Sequence, residues 1–215
     1  MAEDPIITKL KQSKSFLKSG GSERRKDPNY YKEIISHVSF DGLWIDLCIG
    51  RTVAVTQHII RNSPDDIIIY GFDWFKGLPE EWRVSDERVD TIGKFAVTVQ
   101  KIDDFIATKE KQYPKLKIIN GLIQDTLPGF LEEHPGNCAF INVDCDLYSS
   151  ANCALIALQD RIVPGTVINF DEFWGYDNYR NGEYKAFMEF IERTGYKYRF
   201  IAHVAKRWQA AIKIL

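Results

Sequence analysis

The chain has 215 residues, 45% of them hydrophobic, which is enough for one large domain with a continuous buried core. Its formal net charge of −2 argues against a broad cationic surface, so neither nucleic acid nor a membrane is expected as a partner. The four cysteines have no CxxC spacing, and the N-terminal segment has no apolar run long enough for a signal peptide, so we expect a reducing, cytoplasmic location.

The first 40 residues differ in composition from the rest of the chain. Residues 1–26 are rich in Lys and Arg, and Ser19-Gly20-Gly21-Ser22 is typical of a flexible joint. We therefore interpret residues 1–40 as an N-terminal arm or lid and residues 41–215 as the main domain. A homodimer is compatible with such an arm, which could cross a subunit interface.

Residues 41–215 alternate short β-rich runs with longer helical stretches, which is typical of parallel strands joined by crossover helices. The predicted strands are residues 43–48, 67–72, 117–120, 138–143 and 166–170. The predicted helices are residues 52–60, a stretch within 90–111, 127–134, 150–160 and 183–194. Residues 198–202 and 209–214 are joined by a link too short for a helix and form a terminal antiparallel hairpin. The pattern predicts a Rossmann-like α/β fold with a seven-stranded, mostly parallel sheet and helices on both faces.

The strongest chemical signal is a set of acids at the ends of two apolar strands. Asp144 and Asp146 follow the fourth predicted strand, and Asp171 and Glu172 follow the fifth. If these strands are neighbours, their carboxyl ends lie about 4.8 Å apart, at the sheet edge where open α/β sheets bind ligands. Carboxylates gathered there repel one another unless a cation such as Mg²⁺ lies among them. A divalent-metal or catalytic site is therefore favoured over the alternative that these acids only cap helices or face solvent.

Five motifs follow one another along the chain. They are YGFDWFKGLPE at 70–80, Gly121 with DTLP at 125–128, DCDLYSS at 144–150, DEF at 171–173 and GEYKAF at 182–187. Together they resemble the macrocin O-methyltransferase (TylF-type) family. The resemblance covers roughly residue 43 to the C-terminus, and the shared order makes it far more specific than any single motif.

The resemblance implies a class I methyltransferase fold and an enzyme that uses S-adenosylmethionine, usually with Mg²⁺, to methylate hydroxyls, often on sugars of natural products. It implies that Asp144, Asp171 and Glu172 are metal ligands, and Asp146 matches a position proposed as general base. The positions that match the cofactor site are Asp46, Gly50, Thr52, Asp73, Gly121, Leu122 and Asp144. Asp73 also ends the second predicted strand, where an acid accepts hydrogen bonds from both ribose hydroxyls in dinucleotide sites.

The first loop departs from the family pattern. The family has an acid-x-Gly sequence there, whereas this chain has Cys48 in place of the first Gly, in a loop that is slightly shorter. Glycine lets the backbone approach the methionine part of the cofactor, and the Cβ of cysteine could block that approach. Cys48 therefore suggests one alternative, a non-catalytic methyltransferase-like scaffold with a decayed cofactor loop. The intact set of four acids opposes it.

Two further questions concern substrates. A metal-dependent glycosyltransferase is another alternative, since such enzymes also carry a DxD motif, but here the motif ends the fourth strand and a methyltransferase-like hairpin follows. For the methyltransferase, we expect a small-molecule hydroxyl acceptor. The aromatic residues near the strand ends either form a wall of the acceptor pocket or pack the loops onto the domain. They are Trp74, Phe75, Trp82, Trp174, Tyr176 and Tyr179.

Overall fold

The computed structural model describes residues 4–16, 28–98, 101–204 and 208–215. Its α-helices are α1 (Pro5–Lys11), α2 (Pro28–Ser36), α3 (Ala54–Asn62), α4 (Ile102–Gln112), α5 (Ile123–Glu133), α6 (Tyr148–Ala157) and α7 (Glu183–Thr194). Its β-strands are β1 (Lys14–Phe16), β2 (Leu43–Leu47), β3 (Ile69–Asp73), β4 (Trp82–Arg83), β5 (Val89–Asp90), β6 (Leu116–Asn120), β7 (Cys138–Val143), β8 (Val167–Phe170), β9 (Tyr198–Val204) and β10 (Ala210–Ile214). The predicted joint Ser19-Gly20-Gly21-Ser22 lies outside these ranges.

Eight of the described strands form one sheet in the order β1-β9-β10-β8-β7-β2-β3-β6. The five strands from β8 to β6 are parallel, and β10 is antiparallel to both of its neighbours. This confirms the Rossmann-like class and the terminal hairpin. The predicted count of seven strands is one too low, because β1 adds to the edge beside β9. Three residues with only one apolar side chain give no recognisable strand pattern.

Helices cover both faces of the sheet, as predicted. On one face α1, α5, α6 and α7 contribute to the larger apolar cluster, and on the other α2, α3 and α4 pack against the second cluster. Residues of the predicted arm take part in both clusters, since Leu10 of α1 and Tyr30 of α2 are fully buried. The boundary at residue 40 stays a prediction. Across the described ranges, no helix is long and apolar enough to cross a membrane.

One predicted helix begins earlier than expected. The sequence predicts this helix over residues 127–134, with Pro128 as its second residue. The structure instead starts α5 at Ile123, directly after the end of β6, and holds Pro128 inside the helix. The helix predicted within residues 90–111 is α4, which lies inside that stretch except for its last residue, Gln112; Asp90 belongs to the small β4–β5 hairpin.

Three neighbouring parallel strands carry a buried polar side chain at one register position. Asp46 lies opposite Asn142, and Asn142 lies opposite Asn169. The Asn169 amide donates to Asn142, and the Asn142 amide donates to Asp46, at 2.6 and 2.7 Å. The hydroxyls of Tyr30 and Thr56 complete the chain, donating to Asn169 and Asp46, both at 2.6 Å. Burial raises the pKa of Asp46 to about 6, and the hydrogen bonds from Thr56 and Asn142 oppose the increase.

Removal of one donor from this chain is expected to destabilise the fold. Thr56→Val leaves a buried oxygen of Asp46 without its donor, which costs about 1–3 kcal/mol in the free energy of unfolding. Thr56→Ser keeps the hydroxyl and is the control, with a smaller loss. Urea denaturation at neutral pH measures both. A Val variant as stable as the wild-type protein would contradict the importance of this hydrogen bond.

Candidate active site at the carboxyl edge of the sheet

A cavity of about 590 Å³ opens at the carboxyl ends of the parallel strands. Its walls come from the loops that follow β2, β3, β6, β7 and β8. The predicted site residues that line it are Gly50, Thr52, Asp73, Gly121, Leu122, Asp144, Asp146 and Glu172. Two others, Asp46 and Asp171, do not line it. Asp46 is a buried residue of β2, where Thr56 and Asn142 donate to its carboxylate.

The loop after β2 has the backbone conformation of a glycine-rich turn, although its first glycine position is occupied by Cys48. Cys48 has a φ of 63° and Gly50 a φ of 61°, both in the left-handed region that favours glycine. The backbone N–H groups of Cys48 and Ile49 both donate to the carbonyl of Phe72 in β3. The Cys48 thiol lies 3.5 Å from the sulfur of Cys145, and both residues line the cavity. The hydrogen bonds to Phe72 attach the loop to β3, although cysteine stands where the family has glycine.

Asp73, the last residue of β3, connects two loops of the cavity. One carboxylate oxygen accepts the backbone N–H of Gly50 at 2.8 Å, and the other accepts that of Phe75 at 2.6 Å. Burial raises the pKa of Asp73, and these backbone hydrogen bonds oppose the increase. A carboxylate oxygen can accept more than one hydrogen bond, so Asp73 keeps acceptor capacity toward the cavity.

Three carboxylates gather beside the cavity, as the strand-end pattern predicts. Oxygens of Asp144, Asp171 and Glu172 all lie within 4.8 Å of one another. Burial, followed by repulsion from Asp171 and Asp146, raises the pKa of Glu172 well above its usual value. The Oε2 atom of Glu172 is buried and has no hydrogen-bond partner among the described residues. A divalent cation prefers such an all-oxygen set, supplies the missing partner and offsets the repulsion, so these residues fit a metal site.

Two side chains that the sequence analysis missed support this group. The Gln209 amide donates to Asp171 and lies 3.2 Å from the hydroxyl of Tyr31. Glu183 is fully buried and accepts backbone N–H groups from both acidic loops, and burial raises its pKa to about 8. Glu183 lies inside the GEYKAF motif, so the sequence does contain a signal for this residue. Nothing in the sequence around Gln209 indicates its contact with Asp171.

Asp146 and the aromatic residues form other parts of the wall. Asp146 lines the cavity with a left-handed backbone, φ 59°, but is not among the three clustered carboxylates. Of the six aromatic residues singled out in the sequence, only Trp74 and Trp82 line the cavity. Trp208, which the sequence analysis did not consider, also lines it, with its ring centroid 6.1 Å from that of Trp82. Tyr176 does not line the cavity but packs against these rings, with its ring centroid 5.0 Å from that of Trp208.

Solved structures share this fold. The chain is similar to CalS11, a calicheamicin methyltransferase, with 21% identity and a TM-score of 0.65 over 87% of this chain and 78% of that one. It is similar to the O-methyltransferase NovP, with 17% identity and a TM-score of 0.62 over 86% and 76%. An O-methyltransferase from Bacillus cereus in complex with SAH gives 11% identity and a TM-score of 0.57 over 90% and 84%. The fold is that of the Rossmann-like methyltransferases.

The sequence narrows this class to one family. The family model for macrocin-O-methyltransferase (TylF) matches residues 41–195, most of the chain. A comparison with curated protein sequences found no match. The chain belongs to the macrocin-O-methyltransferase family, and it is an S-adenosylmethionine-dependent O-methyltransferase.

Restoring the family glycine is expected to improve cofactor binding. The left-handed backbone of Cys48 costs an L-residue roughly 1–2 kcal/mol, which glycine avoids, and Cys48→Gly also removes a Cβ and a sulfur from the cavity wall. We expect tighter binding of S-adenosylhomocysteine, measured by isothermal titration calorimetry. Cys48→Ala removes the thiol but keeps the Cβ, so it should gain less. Equal affinity for all three proteins would show that Cys48 does not restrict the site.

Proposed function

We propose that this enzyme methylates a hydroxyl of a small molecule, a sugar or another natural product, with help from a divalent cation. The observation that carries the proposal is the position of the three-carboxylate group. Asp144 and Glu172 of this group line the same cavity as Gly50 and Asp73, the expected cofactor residues. The substrate class is supported by the likeness to CalS11, which is described as a TDP-rhamnose 3′-O-methyltransferase and shares 18% identity with this chain at a TM-score of 0.59.

The cofactor would lie across the first three loops. Asp73 would accept hydrogen bonds from the ribose hydroxyls, while its bonds to Gly50 and Phe75 hold the carboxylate in place. Gly121 and Leu122, at the start of α5, line the neighbouring part of the cavity. Arg51 and Thr52 extend the wall formed by the first loop. The acidic residues line another part of the same cavity.

Asp144, Asp171 and Glu172 would hold the divalent cation, whose chemistry there is Lewis-acid activation of the acceptor hydroxyl. Asp146, on the wall of the same cavity, would take the hydroxyl proton. S-adenosylmethionine would supply the methyl group, whose bond to sulfur would break as the acceptor oxygen bonds to its carbon. Trp74, Trp82 and Trp208 would hold the acceptor and limit its access to water. Much of the acceleration would come from holding the two substrates in line.

The first test concerns the cofactor. Asp73→Ala removes the carboxylate that would bind the ribose and that joins two cavity loops, so we expect the affinity for S-adenosylhomocysteine to be lost. Isothermal titration calorimetry of the wild-type and variant proteins, each with and without Mg²⁺, measures this. If the variant binds as tightly as the wild-type protein, Asp73 does not belong to the cofactor site.

The second test concerns the cation. Asp144→Ala removes one of the three clustered carboxylates, so we expect Mn²⁺ affinity to fall by more than about 100-fold, since the loss of an outer-shell partner alone costs 10–100-fold. Metal-dependent turnover should be lost with it once an acceptor is found among sugars and phenols. Asp160→Ala, at an exposed acid outside the cavity wall, is the matched control. An Asp144→Ala enzyme with a near-normal rate would contradict the metal-assisted mechanism.

A further inference from the structure

The buried carboxylate of Glu183 connects the two acidic loops. Glu183 is the first residue of α7 and has 0% exposure. One of its oxygens accepts the backbone N–H of Cys145 at 2.9 Å, and the other accepts that of Glu172 at 3.0 Å. Cys145 lies between Asp144 and Asp146, whereas Glu172 belongs to the loop after β8. One side chain therefore holds the backbone of both loops.

The strand ladder does not reach these two backbone N–H groups. The last register pair of β7 and β8 is Val143 with Phe170, and the next N–H, that of Asp171, still donates to the carbonyl of Val143. Beyond this point β7 leads to α6, while β8 leads to an irregular loop. Buried backbone N–H groups need an acceptor, and a carboxylate is a strong one. Glu183 therefore fixes the separation of the loops where the sheet no longer does so.

A purely structural role explains only part of this arrangement. An acid in the first turn of a helix is favoured by the helix dipole, but an exposed side chain would satisfy that preference. Burying a carboxylate near other acids is costly, even when it is hydrogen-bonded. Glu183 is fully buried and acts electrostatically on Glu172 together with Asp171 and Asp146. A requirement of the site for a fixed spacing between the two loops would account for this cost.

We propose that Glu183 is a positioning residue that sets the distance between Asp144 on one loop and Asp171 and Glu172 on the other, and with it the affinity for a divalent cation. The inference rests on the proposed function, because it takes these three carboxylates as the cation ligands. Outer-shell partners of metal ligands change metal affinity by roughly 10–100-fold when they are removed. Glu183 acts here through the backbone of the ligand loops.

Three substitutions distinguish an effect of loop spacing from an effect of replacing the carboxyl group. Glu183→Gln keeps the size of the side chain but turns an NH₂ group toward one of the two N–H donors, which releases one loop. Glu183→Asp keeps the carboxyl group with both of its oxygens, but it is one methylene shorter and reaches the two loops less well. Glu192→Gln makes the same chemical change at an exposed position of the same helix and is the matched control.

The experiment measures two affinities for each full-length protein. Mn²⁺ binding is followed by electron paramagnetic resonance and S-adenosylhomocysteine binding by isothermal titration calorimetry. We expect both Glu183 variants to bind Mn²⁺ about tenfold or more weakly than the wild-type protein, while cofactor affinity stays within about twofold. Glu192→Gln should match the wild-type protein in both. If Glu183→Gln does not fold, Glu183→Asp carries the comparison.

The outcomes distinguish this inference from the proposed function. Wild-type Mn²⁺ affinity in folded Glu183→Asp would overturn the inference, because any loss in Glu183→Gln would then come from replacing the carboxyl group and not from the spacing of the loops. Unchanged Mn²⁺ affinity in both variants would also overturn it, while leaving the cation site of the proposed function intact. A wild-type protein that binds S-adenosylhomocysteine but no Mn²⁺ would overturn the cation site, and this inference with it.

Discussion

The position of the candidate active site depends on the buried hydrogen bonds that join Asp46, Asn142 and Asn169 across three parallel strands. A slip of one residue in any of these strands would turn its polar side chain to the opposite, apolar face of the sheet. That group would then be buried without a partner, which is costly. The register is therefore strongly fixed. Since Asp144 and Asp171 each lie two residues beyond an asparagine of this chain, the same hydrogen bonds bring the two acids side by side.

The acidic edge that results is a source of instability in the absence of a cation. Burial raises the pKa values of Asp73 and Glu172, and nearby carboxylates add to the increase for Glu172. An acid whose pKa is raised in the folded state costs stability at any pH above that pKa; the cost falls as the pH decreases through the folded pKa and is gone below the unfolded pKa. A divalent cation bound to the folded protein offsets the cost through mass action. The proposed cation site therefore predicts that stability and cation binding are linked.

The features that the sequence could predict are those set by local pattern. Apolar runs separated by helical stretches identify the five parallel strands, and acids at the ends of two of them identify the carboxylate group. The contacts that shape this group could not be predicted in the same way. Gln209 reaches Asp171 across 38 residues of chain, and Glu183 reaches Cys145 across the same number. Such pairs follow from how the hairpin and α7 pack on the sheet, and no spacing in the sequence indicates them. The edge strand β1 was missed because its three residues carry no strand pattern.

Cys48 shows how a departure from a family pattern can be tolerated. Glycine is used at such a position because it adopts a left-handed backbone at little cost. In this chain hydrogen bonds to β3 stabilise the same backbone conformation, since the carbonyl of Phe72 accepts the N–H groups of both Cys48 and Ile49. Asp73 accepts a further hydrogen bond from Gly50, so β3 holds three consecutive residues at the start of the loop. A strain of roughly 1–2 kcal/mol at one residue is small enough for these contacts to offset. Besides this strain, the cysteine adds a side chain to the cavity wall, where it lies beside Cys145.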